Sequence, residues 1–271
     1  MILKKFQSRA PATAYRQPVR TEIPTVPTAE IAARYRAARI GGDFYDFIQV
    51  SDTKLLFVML DIAGKRETAL HSAAFAQDLF RNRGAELFNN PDAEDSDALT
   101  KLLLEMNREI IRTAAGGICH APAFLGCYHE DTGILTYINA GHTPGVMRDG
   151  EGTLLLEANG LPLGLFSHAT HDAQFCVLTP GAGLVLASKG LVEVKAGGHE
   201  FGIEGVRKVV EEGKYDSAEA LCQLLHERVT AYEKKPSFLA PALNLTGLTS
   251  EPNDLTVVAL LRKAASAAAR A

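Results

Sequence analysis

The chain has 271 residues, 46% of them hydrophobic and 22% charged, enough for one large globular domain or two small ones. A net charge of −4 and an isoelectric point near 6.1 exclude a global basic field that would attract nucleic acid, so no nucleic-acid partner is expected. No apolar run approaches the roughly 20 residues needed to cross a bilayer.

Residues 1–28 read as a basic, flexible arm: Lys4, Lys5, Arg9, Arg16 and Arg20 all precede the first acid, Glu22. A transit peptide shares that composition, but Pro11 and Pro18 favour the arm. A single domain then covers residues 29–263, and the Ala-rich stretch 264–271 reads as a frayed tail. The cysteines Cys119, Cys127, Cys176 and Cys222 are scattered, without the close pairs of a zinc or redox site. Reduced, buried thiols and a cytoplasmic location are expected.

The first strand is expected over Ile31–Ala38, leading into Ile40-Gly41-Gly42-Asp43-Phe44-Tyr45-Asp46-Phe47. Phe44–Val50 and Lys54–Leu60 form a hairpin about Ser51-Asp52-Thr53, and the second strand runs out into Asp61-Ile62-Ala63-Gly64-Lys65. Each carboxylate sits beside a glycine turn, where the backbone can aim it at a point in space. Two such acids on neighbouring strands make a hard, oxygen-rich site of the kind Mg²⁺ or Mn²⁺ favours, and two ordinary solvated turns would read the same way. Asp46 is expected to cap or brace the first turn.

Helical spacing takes over from Glu67 to Asn89, and again from Asp97 to Ala114 behind an expected Ser96 cap, with a core stripe through Leu99, Leu102, Leu103, Met106 and Ile110. Strands return at Ala123–His129, Ile134–Ala140, Pro144–Arg148, Gly152–Glu157, His171–Leu178 and Gly183–Ala187. Helices follow at Ile203–Glu212 and Ser217–Lys234, then the Pro- and Leu-rich loop 236–252 (partner surface or lid) and a last strand, Leu255–Arg262. Strands, two helices, strands, two helices and a strand argue for an α+β domain of antiparallel sheets with paired helices on their faces.

Further stretches join the first two: Asn139-Ala140-Gly141-His142-Thr143-Pro144, Gly160-Leu161-Pro162-Leu163-Gly164, Leu184 to Glu193 containing Ser188-Lys189-Gly190, and Asn253-Asp254-Leu255-Thr256. In this order they resemble the PPM family of metal-dependent protein serine/threonine phosphatases, in the SpoIIE-like branch, from about Ala32 to Arg262. The resemblance implies a four-layer αββα sandwich of two antiparallel sheets flanked by helix pairs. It also implies a binuclear Mn²⁺ or Mg²⁺ centre at one sandwich edge, where a metal-activated water attacks phosphoserine or phosphothreonine.

Carried over by residue, the resemblance makes Asp61 the bridging ligand, the Ile62 carbonyl a ligand of the first metal, and Asp43 a holder of metal or its waters. Asp61 and Asp43 are thus the catalytic candidates. The family writes Asp where this chain has Lys189, and Asp again where it has Asn253, so both positions are degraded ligands, although Asp254 can slip into the second. At about 4 Å and an effective dielectric near 20, one unit charge against a divalent ion is worth roughly 8 kcal/mol before screening. A quarter of that weakens metal binding more than about tenfold.

The expectation is therefore one bound ion or none in place of two, and weak or lost hydrolysis of a phosphoprotein substrate. The alternatives are an inactive pseudophosphatase that binds a regulatory protein partner, and a one-metal hydrolase of small phosphate esters. Lys189 either replaces the missing ion beside Asp61 and Asp43 or is a surface lysine, with Glu193 its expected partner. Arg66 adds a further positive charge near the site. Asn139 and His142 are expected to shape a hairpin at the site's edge.

Overall fold

A computed structural model describes residues 16–37, 42–64, 66–89, 93–114, 120–234 and 253–264. The loop 236–252, the first part of the arm and nearly all of the Ala-rich tail lie outside these residues. The run Leu55 to Leu60 explains the layering. Every residue of it is buried, because its strand is covered on both faces: Leu56, Val58 and Leu60 pack toward a helix pair, and Leu55, Phe57 and Met59 toward a second sheet.

That strand, β3 (Lys54–Asp61), sits between β2 (Asp43–Ser51) and β4 (Ala123–His129), with β5 (Ile134–Ala140) and β8 (Gln174–Val177) completing an antiparallel sheet in the order β2-β3-β4-β5-β8. The other sheet runs β1-β12-β9-β6-β7, made of β1 (Ala29–Arg36), β12 (Leu255–Arg262), β9 (Gly183–Ala187), β6 (Gly145–Arg148) and β7 (Thr153–Leu156). Helices α1 (Arg66–Phe88) and α2 (Asp95–Thr113) cover the first sheet. The second is covered by α4 (Gly202–Glu212) and α5 (Ala218–Glu233), against which Val257 and Ala259 of β12 pack while Val258 and Leu260 face the inter-sheet core. Three apolar layers between four structural layers give the expected αββα sandwich.

Local details differ from the sequence reading. The helix α2 starts at Asp95 behind Glu94, and not behind a Ser96 cap, and the Asp95 carboxylate in its first turn is held 2.7 Å from the Lys54 ammonium of β3. The short helix α3 (Lys189–Val192) and the small hairpin β10 (Lys195–Ala196)–β11 (His199–Glu200) were not expected. Asp46 does not brace a turn. It is fully buried, accepts two hydrogen bonds from Arg81 at 2.6 and 3.0 Å and one from Gln77 at 3.1 Å, and so fastens β2 to α1. The described part of the arm is tied to the same helix: Val19 N–H donates to Gln77 Oε1 at 2.7 Å, and Gln77 Nε2 donates back to the Val19 carbonyl at 3.0 Å. Among the described residues, no helix is long and apolar enough to cross a membrane.

Candidate functional site

Antiparallel register places Asp43 of β2 directly opposite Asp61 of β3, at the end of their sheet. The chain leaving β3 is held in place by Ile62 N–H donating to the Gly42 carbonyl (3.0 Å) and Ala63 N–H to the His120 carbonyl (2.8 Å). A Cβ on Gly42 would run into the Ile62 carbonyl, so the turn requires glycine there.

The second sheet contributes from across the sandwich edge. At the end of β9, Ser188 N–H donates to the Thr256 carbonyl (2.9 Å), Thr256 N–H donates to the Ser188 hydroxyl (3.1 Å), and that hydroxyl donates to the Asp254 carbonyl (3.3 Å). Gly190 packs so close to the Asp254 carbonyl and Asn253 that a side chain would collide with both. The Thr256 hydroxyl joins the two sheets here, donating to Asp43 Oδ2 at 2.5 Å.

These elements enclose a pocket of about 170 Å³ lined by Asp43, Asp61, Ile62, Lys189, Asn253 and Asp254, with His120 and Glu193 beside them. Every residue singled out for the site therefore faces one space. Burial and the neighbouring Asp61 push the half-buried Asp43 carboxyl up to about 8, against the hydrogen bonds from Thr256 and Ser188. Burial also raises Asp61, with Lys189 and His120 pulling the other way.

Lys189 is more than half exposed, and its ammonium lies 3.6 Å from Glu193 Oε1, the expected partner. It does not neutralise Asp61 and Asp43 by contact: it acts on Asp61 through the field and spends its close contact on Glu193. The Asp254 side chain is buried and already partnered, taking the Tyr35 hydroxyl at 2.8 Å and standing 3.8 Å from Arg66 Nη1. Asn139 holds the turn after β5 and lies outside the pocket lining: its Oδ1 accepts the His142 N–H at 2.9 Å, and its Nδ2 donates to the Leu156 carbonyl at 3.0 Å. Tyr35 was missed, and Ser188 entered only as part of its motif, with no role of its own. Neither a strand tyrosine nor a serine before a helix carries a signal until the two sheets are brought together.

The pocket's donor set departs from the one the resemblance implies at Lys189 and Asn253. Among the described residues, no three His, Cys, Asp or Glu side chains converge as a metal cluster. Asp43 accepts from Thr256, Asp254 is engaged by Tyr35 and Arg66, and the Lys189 ammonium and the Asn253 amide line the pocket with Asp61, His120 and Glu193.

Two five-stranded antiparallel sheets between helix pairs, with paired carboxylates at one sheet end, define the PPM-type (PP2C) phosphatase fold. The chain belongs to the Stage II sporulation protein E (SpoIIE) family, whose model matches residues 51–237. That match includes Asp61 and Lys189 and stops short of Asp43 and Asp254. Over 198 residues the chain is 25% identical to Protein IcfG of Synechocystis sp. (strain ATCC 27184 / PCC 6803 / Kazusa), which covers 66% of this chain and 31% of that protein.

Its fold is similar to the PP2C phosphatase domain and regulatory fragment of SpoIIE from Bacillus subtilis, with TM-score 0.66 and 16% identity over 87% of this chain and 62% of that one. It is also similar to the RsbU and RsbW domains of Rv1364c from Mycobacterium tuberculosis, with TM-score 0.65 and 19% identity over 89% and 63%. The chain thus spans about a third of IcfG and under two thirds of both solved chains.

Proposed function

We propose that this domain is a SpoIIE-type protein phosphatase of a bacterial signalling pathway, acting on phosphoserine or phosphothreonine, in which a degraded second metal position leaves hydrolysis weak or lost. The carrying observation is Lys189: an ammonium lines the pocket of Asp43 and Asp61 where the family places a carboxylate. Asp43, Asp61 and the Ile62 carbonyl remain as donors for at most one Mn²⁺ or Mg²⁺, and Asp254, whose Oδ2 accepts from Tyr35, offers them its Oδ1. A second reading, a regulatory binding module without turnover, draws on the close backbone packing at Gly190, which keeps the shape of a site whose ligand charges have changed.

Hydrolysis of p-nitrophenyl phosphate in excess Mn²⁺ tests the proposal, comparing the native chain with the double variant Lys189→Asp, Asn253→Asp. The expected result is slow turnover by the native chain and a gain of about tenfold or more in the variant. Strong turnover by the native chain, unimproved in the variant, would overturn it.

A further inference from the structure

The stretch Gly160-Leu161-Pro162-Leu163-Gly164 does not line the acid pocket, yet its backbone is fastened along its whole length. Gly160 packs so closely on the buried His171 ring that a Cβ would collide with it, and His171 Nε2 donates to the Leu161 carbonyl at 2.7 Å. Pro162 fills the space beside Gly141, whose φ of +73° favours glycine in any case. Leu163 and Ala121 exchange backbone hydrogen bonds at 2.9 and 3.0 Å. Asn107, fully buried in α2, accepts the Gly164 N–H at 2.7 Å and donates to the Phe166 carbonyl at 2.8 Å.

This loop lies at the pocket's end of the first sheet. Register brings the start of β4 and the end of β5 to the same end as Asp43 and Asp61, and Gly160 bridges Ala140 there. Ala121, the partner of Leu163, stands between His120 and Pro122, which both line the pocket. Leu163 is buried, whereas the Leu161 side chain is left out in solvent, 51% exposed. Single exposed leucines are common on protein surfaces. This one differs in that its backbone is held on both sides, so a partner meets it with little ordering entropy left to lose. Phe166, half exposed, is held by Asn107 in the same way.

We propose that Leu161 is a specificity-determining residue of this site, meeting an apolar side chain of the phosphoprotein partner about three residues from the phosphorylated one. The spacing follows from the sheet. Two strand separations of about 4.8 Å part β3 from β5, and an extended chain advances about 3.3 Å per residue. The inference rests on the phosphoprotein reading above and adds the sequence class of the partner.

The test is fluorescence anisotropy with the full chain in excess Mn²⁺, using a short labelled peptide that carries a non-hydrolysable phosphonate in place of phosphoserine. One version has leucines within about four residues on both sides, and its counterpart has asparagines there. The leucine peptide is expected to bind about tenfold more tightly. Leu161→Ser should abolish that preference, and Leu161→Met should keep it. Leu154→Ser, at an equally exposed leucine on β7 of the other sheet, should leave it unchanged. Equal binding of the two peptides, no measurable binding of either, or a preference that survives Leu161→Ser would each overturn the assignment. A peptide with plain serine separates this from the phosphoprotein reading. If it binds as tightly as the phosphonate peptide, that reading falls, while a leucine preference lost in Leu161→Ser still stands.

Discussion

The two halves of the acid pocket use the same backbone device and differ in charge. At the Asp43–Asp61 half, Gly42 lets the chain approach the Ile62 carbonyl, and two carboxylates stand opposite each other. At the Lys189–Asn253 half, Gly190 lets α3 approach the Asp254 carbonyl just as closely, but an ammonium and an amide line the space. Close approach is enforced by sterics that tolerate no extra atom, whereas ligand identity depends on side chains that can change without disturbing the backbone. On the proposed reading, shape outlasts ligand charge at this site.

The largest expected effects test whether both backbones are equally demanding. Gly42→Ala and Gly190→Ala should each cost about 3 kcal/mol of folding stability in urea melts, since either Cβ meets a backbone carbonyl. A large loss at Gly42 with none at Gly190 would mean that the second half has relaxed in shape as well as in charge.

Next is the anchorage that the first half alone has. Asp46→Ala leaves Arg81 and Gln77 without their shared acceptor and should cost about 2 kcal/mol; Arg81 keeps part of its hydration because it is one-third exposed. The loss should appear in thermal melts and in faster proteolysis of the arm, which Gln77 also holds.

The charge difference itself gives a pH signature. The native state keeps a proton on Asp43 up to about 8 that the unfolded chain releases near 3.8, so stability falls as pH rises through that window. Asp61 is raised in the same direction. Buried His142, held down to about 4, opposes this only below its ordinary 6.5, where rising pH favours the native state. Between pH 6.5 and 8 the carboxyls govern, and a loss of about 1 kcal/mol is expected after allowing for their partial exposure. Asp43→Asn should flatten that slope. The smallest effect is a remote control: Ser217, whose hydroxyl accepts the Ala220 N–H at the start of α5, should cost about 1 kcal/mol as Ser217→Ala without altering Mn²⁺ affinity.

Much of this was legible in the chain because it is written locally. The apolar run Leu55 to Leu60 beside a short polar turn and the stripe through Leu99, Leu103 and Ile110 mark a strand and a helix, and Gly42 stands directly before the strand that starts at Asp43. What escaped depends on partners far along the chain. Asp46 meets Arg81 and Gln77 only once α1 folds over β2, and Lys54 meets Asp95 only once α2 lies against β3. The short helix α3 has too few residues for a period, and its place is set by the contact of Gly190 with Asp254. The candidate ligands were readable from their order, but the occupation of Asp254 by Tyr35 and of Asp43 by Thr256 required both sheets.

Calorimetric titration of Mn²⁺ into the native chain, beside Lys189→Asp, Asn253→Asp, tests the charge difference between the two halves most directly. The account predicts at most one weakly bound ion in the native chain and a gain of at least about tenfold in affinity, with a second ion, in the variant. Two tightly bound ions in the native chain would contradict it.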